Sequence, residues 1–215
     1  MLNQKIAELR KDYRLASLDE SEVAAYPLLQ FGKWWQDAIT GEVEEANAMT
    51  LATSTPDGHP SARIVLLKSF DEEGFLFFTN YESRKAQELA LNPHVTLLFF
   101  WRELERQVRI EGTVCKAPVA VSNEYYDSRP LESRIGAIAS PQSKVIPGRS
   151  FLEEQVDQVK KEYKGNAPQR PNYWGGYIVK PQVIEFWQGR SSRLHDRILY
   201  TLTTEGSWKI ERLAP

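Results

Sequence analysis

The sequence predicts a mainly β fold of the α+β class, an antiparallel barrel or sandwich with helices packed outside. Three observations predict it. Seven or eight short apolar or β-branched runs recur at hairpin-like spacing. Turn residues, rather than helices at regular intervals, separate most of them, which disfavours a parallel sheet. No Gly-x-Gly-x-x-Gly and no P-loop is present, so any phosphate must be held by other means. At 215 residues the chain is read as a single domain over 1–215, with residues 1–20 an N-terminal segment free to move. Such a length buries about 70% of the unfolded surface, enough for a core without staples.

Taken in order, Leu2, Ile6, Leu9 and Tyr13 recur at helical spacing and predict a short amphipathic helix over 2–14. A second helix follows Pro27, carries Leu28, Phe31, Trp34, Trp35 and Ile39, and stops near Gly41. Thr50 to Thr55 reads as a strand, closed by the turn chemistry of Pro56-Asp57-Gly58. Ala62 to Phe70 reads as one strand, turned at Asp71-Glu72-Glu73-Gly74 into a third at Phe75 to Thr79. Ser83 to Leu91 is helical and ends at Asn92-Pro93, because a residue before proline avoids helical geometry. Strands resume at His94 to Trp101 and Leu104 to Lys116. Val119 to Lys164 reads as three helical pieces, parted by Pro130 and by the Pro141 to Pro147 loop. After a polar linker at 165–172, short strands are expected at Gly176 to Lys180, Val183 to Gln188, Arg197 to Thr203 and Ser207 to Arg212.

Composition narrows the function. Lys plus Arg number 27 against 29 Asp plus Glu, and this net charge of −2 argues against broad nucleic-acid binding. One cysteine, Cys115, excludes an intrachain disulfide, and His59, His94 and His195 lie too far apart for metal-ligand spacing. No apolar stretch resembles a signal peptide or reaches the length of a membrane span. The expectation is a reduced, soluble, cytoplasmic protein without a metal.

Cations on several separate segments carry what chemistry the residues alone suggest. In a strand, Arg193, His195 and Arg197 share one face, while Leu194, Ile198, Tyr200 and Leu202 share the other. Three such groups in a row attract an anion; a solvated strand face explains them equally well. Arg63 and Lys68 end an apolar strand, where Arg63 either forks onto a phosphate or snorkels at a rim. Strict alternation puts the two on opposite faces. Ser83-Arg84-Lys85 sits at a helix start with Ser83 as N-cap, and two cations there are unfavourable unless an anion joins them. Pro130 interrupts the spacing of Tyr125, Arg129 and Ser133 and opens a fresh helix at its first position, so that Arg129 and Ser133 flank its N-terminus. Trp174-Gly175-Gly176 and Phe186-Trp187-Gln188-Gly189 place aromatics beside glycines, which suits core packing or the close approach of a flat ring.

Together these segments resemble the pyridoxine/pyridoxamine 5′-phosphate oxidase family. The matches run in order through Arg63 to Lys68, Phe77 to Asn80, Ser83-Arg84-Lys85, Leu104-Glu105-Arg106-Gln107-Val108, Ser128-Arg129-Pro130, Ile135-Gly136-Ala137 and Gln142-Ser143. They continue through Phe186-Trp187-Gln188-Gly189, Arg193-Leu194-His195-Asp196-Arg197 and the ending Arg212-Leu213-Ala214-Pro215. The resemblance implies an antiparallel split β-barrel of the FMN-binding type with flanking helices, a homodimer with FMN at the subunit interface. It implies FMN contacts at Arg63, Ile64, Val65, Leu66, Phe78, Thr79, Arg84, Lys85, Gln107, Gln142, Ser143, Trp187 and Arg197. Substrate contacts are implied at Lys68, Tyr125, Arg129, Ser133, Arg193 and His195, with Arg10 and Tyr13 on a covering N-terminal segment. Phe78 stands where a Tyr is frequent, and Pro141 where a Lys often is.

The implied reaction oxidises pyridoxamine or pyridoxine 5′-phosphate to pyridoxal 5′-phosphate. A hydride passes from the C4′ carbon to flavin N5, and oxygen is reduced to hydrogen peroxide. Arg193 and His195 are implied as the catalytic pair, orienting the substrate over the ring. A flavin reductase on the same barrel and a non-catalytic flavin- or anion-binding module are the alternatives.

Overall fold

The computed structural model describes Leu9 and residues 11–215. Nine strands and five α-helices follow one another among these residues. The strands are β1 (Ala48–Ser54), β2 (Pro60–Leu66), β3 (Ser69–Asp71), β4 (Gly74–Asn80), β5 (His94–Trp101), β6 (Arg106–Lys116), β7 (Trp174–Gln188), β8 (Asp196–Leu202) and β9 (Trp208–Arg212). The helices are α1 (Pro27–Thr40), α2 (Arg84–Leu91), α3 (Val119–Ser128), α4 (Leu131–Ala139) and α5 (Arg149–Tyr163). The sheet runs β2-β1-β5-β6-β7-β4-β3, with β8 added to β7 and β9 to β8. The pairs β3–β4, β4–β7, β7–β8 and β8–β9 are antiparallel. No described helix is long and apolar enough to cross a membrane.

The chain divides into two compact units. The first takes the described residues up to Met49, Leu97–Glu111 and Pro181–Pro215. Its core is aromatic. Phe31 and Trp34 of α1 lie one turn apart on the buried face, Phe31 against Phe99 at 5.3 Å and Trp34 edge-on to Phe186 at 5.2 Å. Buried polar tips find partners: the Trp101 indole donates to the Ala46 carbonyl at 2.9 Å, and the Tyr200 hydroxyl to the Ala24 carbonyl at 2.7 Å. Ile39, expected on the apolar stripe of α1, is half exposed, and Ala38 takes the buried position instead.

The second unit takes Thr50–Thr96 and Gly112–Lys180. Leu51 and Thr53 of β1 point inward, as do Phe75, Phe77 and Thr79 of β4, at the two-residue period of a half-buried strand. Gly74 has φ +130°, and a Cβ there would run into the Val179 carbonyl, so the β3–β4 turn requires glycine. Ile135 and Ala139 of α4 bury against Val159 of α5.

Four expectations need correction. The run Ala62 to Phe70 is two strands, broken at Leu67-Lys68, where the Lys68 N–H turns to the Leu76 carbonyl at 2.8 Å. The two strands expected at 176–188 are one, β7. Its residues 174–179 pair with β4 and 183–188 with β8, and Pro181, which has no N–H to give, sits in the gap between the two ladders. Arg193 to His195 precede β8: Ser191–Arg193 form a 3-10 turn, and Leu194, expected in the core, is exposed while Ile198 and Tyr200 are fully buried. Pro130 is the N-cap of α4, and Leu131 its first residue. The helix expected over 2–14 lies largely outside the described residues, and Leu9 and residues 11–14 are not helical.

Candidate active site

In the second unit, cations gather around one buried carboxylate. Alternation along β2 turns Arg63 inward and leaves Ile64 and Leu66 exposed on the other face, with Val65 following Arg63. Arg63 Nη1 donates to the Leu51 carbonyl (3.1 Å) and Thr53 Oγ1 (2.6 Å), and Nη2 to Ser61 Oγ (2.5 Å) and Glu88 Oε2 (3.1 Å). The fork expected to reach a phosphate is thus engaged by protein, leaving Nε. Arg84 is gripped differently. Its Nε donates to Glu88 Oε1 at 2.9 Å, while the side chain is 69% exposed, so the Nη pair is the accessible fork.

Beside it, Lys85 Nζ donates to Thr79 Oγ1 (3.1 Å) and Gln142 Oε1 (2.8 Å), and Ser143 follows in the left-handed region. Burial and the nearby Arg63 charge push the Lys85 pKa down. Ser83 caps α2, accepting from the Ala86 N–H at 3.4 Å and donating to the Asn80 carbonyl at 2.7 Å. Ser83→Ala is expected to cost about 1 kcal/mol in urea unfolding; an unchanged midpoint would show the cap to be idle.

A second cluster in this unit is aromatic. Phe78 of β4 stacks on Tyr125 (4.0 Å, 11°) and on Trp174 (5.5 Å, 7°). Lys68 Nζ lies 5.7 Å from the Tyr125 ring, and the Arg129 guanidinium 4.6 Å from that of Trp174. Arg129 Nη1 is buried without a hydrogen-bond partner, and burial pushes the Arg129 pKa down. A cavity of about 280 Å³ opens there, lined by Asn80, Arg129, Ser133, Gln142 and Trp174 among others.

In the first unit, Tyr13, Trp187, Arg193 and His195 come together. His195 lies 4.6 Å from the Trp187 ring, and Tyr13 stands edge-on to both, at 6.0 and 5.8 Å. His195 Nδ1 accepts the Arg190 N–H at 3.1 Å, which assigns the neutral ring's proton to Nε2. Burial, then the Arg193 charge, hold the His195 pKa below its ordinary value, against the opposing pull of Asp196. A cavity of about 530 Å³ is lined by Lys11, Tyr13, Arg190, Arg193 and His195 among others. Arg197 opposes Trp187 across the β7–β8 ladder, with its Nε on Glu185 Oε1 (2.7 Å) and Nη1 on the Ala214 carbonyl (2.9 Å). Gln107 is partly buried near the start of β6. Arg10 lies outside the described residues.

Sequence reasoning missed the carboxylates. Glu88 accepts from Arg63 and Arg84, and Glu185 from Arg197 and Arg109, the last at 2.7 Å. Only the four-residue step from Arg84 to Glu88 left a signal. Trp174, named for its glycine neighbours alone, is the floor under Arg129.

Residues 35–163 match the family model described as pyridoxamine 5′-phosphate oxidase, and residues 174–215 match that of the pyridoxine 5′-phosphate oxidase C-terminal dimerisation region. A pyridoxine/pyridoxamine 5′-phosphate oxidase of Nostoc sp. is 56% identical over 214 residues, covering 100% of both chains. Among solved structures, PhzG from Burkholderia lata, in complex with tetrahydrophenazine-1-carboxylic acid, has a TM-score of 0.89 at 28% identity, covering 95% of this chain and 100% of its own. A pyridoxamine 5′-phosphate oxidase-related, FMN-binding protein from Nostoc punctiforme has a TM-score of 0.68 at 17% identity, covering 86% and 96%.

Proposed function

The chain belongs to the pyridoxamine 5′-phosphate oxidase family, and from that premise we propose how its side chains divide the work. Its fold is the antiparallel split barrel with flanking helices, its cofactor FMN, and its reaction the oxidation of pyridoxamine and pyridoxine 5′-phosphates to pyridoxal 5′-phosphate. Oxygen is the acceptor and hydrogen peroxide the by-product. The dimerisation region at 174–215 supports a homodimer, and we propose that FMN lies at its interface. The protein works in the cytoplasm, with no nucleic-acid or membrane partner.

The observation that carries the reading is the buried, unpaired Nη1 of Arg129. A desolvated guanidinium with an idle donor is costly unless an anion completes it. Lys68, Tyr125, Arg129 and Ser133 hold the substrate phosphate, and Arg193 and His195 orient the substrate's ring. The residues also fit FMN: Arg84 offers a free fork at a helix N-terminus, with Lys85, Thr79, Gln142 and Ser143 beside it. Arg63 through its Nε, with Ile64, Val65, Leu66, Phe78, Gln107, Trp187 and Arg197, completes the set. FMN, when bound, supplies the redox chemistry, and the protein supplies position and electrostatics. A neutral His195 donates from Nε2 to substrate oxygen or nitrogen.

The test is the visible spectrum of the purified protein before and after anaerobic pyridoxamine phosphate, with oxygen uptake alongside. A yellow protein that bleaches with substrate is expected. A colourless protein favours the binding module. Oxidation of NAD(P)H, with no bleaching by pyridoxamine phosphate, favours the reductase.

A further inference from the structure

Glu105 stands in the segment Leu104 to Val108 that the functional reading uses only for Gln107, and its contacts are unusual for a turn residue. It closes the 3-10 turn Arg102–Leu104 in the left-handed region (φ 54°, ψ 38°), a conformation unfavourable for a non-glycine residue. Its side chain is 3% exposed. Oε2 accepts the backbone N–H groups of Arg14 (2.8 Å) and Leu15 (3.1 Å), and Oε1 pairs with Lys11 Nζ at 3.1 Å. Burial alone pushes this carboxyl up; the N–H groups of Leu15 and Arg14, with Lys11, outweigh it and hold it below the usual range. The Glu105 main-chain carbonyl accepts the Gly189 N–H at 2.7 Å and Gln188 Nε2 at 3.2 Å.

One residue therefore ties the strap 11–15 to the end of β7. Tyr13 lies inside the tied stretch, so close to Gly189 that a Cβ there would sit 2.7 Å from Tyr13 Cγ. Beyond Leu15 the strap has separate anchors: the Ala16 carbonyl takes Arg190 Nη1 at 3.3 Å, and the Leu18 N–H reaches Asp196 Oδ2 at 3.0 Å. Glu105 alone among these anchors grips the chain on both sides of Tyr13, at Lys11 before it and at Arg14 and Leu15 after it, from one side chain.

We infer that Glu105 is a positioning residue: it fixes the strap so that Tyr13 forms the wall of the pocket holding Arg193 and His195, and thereby sets substrate affinity. The inference rests on that pocket receiving the substrate. It requires the carboxylate itself, since the backbone carbonyl keeps its partners in any variant.

The experiment compares Glu105→Ala and Glu105→Gln with wild-type holoenzyme. Amide hydrogen exchange at Arg14 and Leu15 is expected to quicken about tenfold in the alanine variant and less in the glutamine variant, which keeps one acceptor oxygen. Leu18 should exchange as in wild type, because Asp196 still holds it. The KM for pyridoxamine phosphate should rise about tenfold in the alanine variant and about threefold with glutamine, while kcat moves less than about twofold. Unchanged exchange at Arg14 and Leu15, or an unmoved KM, overturns the inference. So does faster exchange spread evenly through the strap and β8, which would mark Glu105 as a general structural support. The exchange result holds whatever the enzyme oxidises, and failure of the functional reading announces itself separately, as wild-type protein without turnover.

Discussion

Arg193→Ala is expected to lower kcat/KM for pyridoxamine phosphate by roughly 10- to 150-fold, the worth of one hydrogen bond to a charged group, while FMN stays bound. Ser192 and Arg193 both have positive φ, 56° and 62°, in the turn before β8. Backbone strain of this kind persists where the surroundings impose it, and here it aims the guanidinium into the pocket that His195 shares. Alanine bears the same backbone cost, so the variant tests the guanidinium and not the turn. Arg193→Lys should recover little, because a point charge does not reproduce a planar fork. A second readout needs no turnover. The Arg193 charge is one of the causes holding the His195 pKa down, so its removal should move that pKa up, measured by NMR titration of the ring protons. Turnover equal to wild type, or an unmoved His195 titration, would refute the role.

Where turn chemistry was explicit, the fold was legible. Pro27 and Gly41 bounded α1, Asn92-Pro93 closed α2, and His94 to Trp101 became β5 at its predicted ends. The errors fell where periodicity carries no information about partners. Ala62 to Phe70 is apolar or β-branched apart from Arg63, Lys68 and Ser69, and no glycine, proline or other turn signal marks the break at Leu67-Lys68. Gly176 to Lys180 and Val183 to Gln188 were expected as separate strands on either side of Pro181, and only the exchange of partner from β4 to β8 shows why a proline is tolerated inside one long strand. The cations of the site were legible as residues out of place on separate segments. Their carboxylate partners were not, the Arg84–Glu88 step apart, since Glu88 lies 25 residues from Arg63 and Glu185 lies 12 from Arg197. Strand parity says which face a side chain takes and leaves open what it meets there.

Glu88→Ala is expected to destabilise the protein by about 3–5 kcal/mol, the usual cost of stripping a buried ion pair of one partner. Glu88 is 5% exposed. Burial alone would raise its pKa, and hydrogen bonds from Ser61, Thr53, Arg84 and Arg63 reverse this and bring it from 4.5 to about 2. A depressed carboxylate contributes stability in full above its unfolded pKa and loses it as pH falls through the folded one. Wild type should therefore shed about 3 kcal/mol between pH 4.5 and pH 2 through this group.

Glu88→Gln separates charge from shape. Its amide can satisfy Arg84 at Oε1, and the Thr53 and Ser61 hydroxyls can rotate to accept from the new NH2 group. Arg63 has no such freedom, because a guanidinium only donates. The glutamine variant should thus lose less stability than alanine at neutral pH, and its acid limb should be flatter than that of wild type. Urea unfolding at intervals from pH 7 to pH 2 measures both. Parallel acid limbs for wild type and Glu88→Gln would mean that protonation of this carboxylate, which frees Arg63 and Arg84, is not what destabilises the protein in acid.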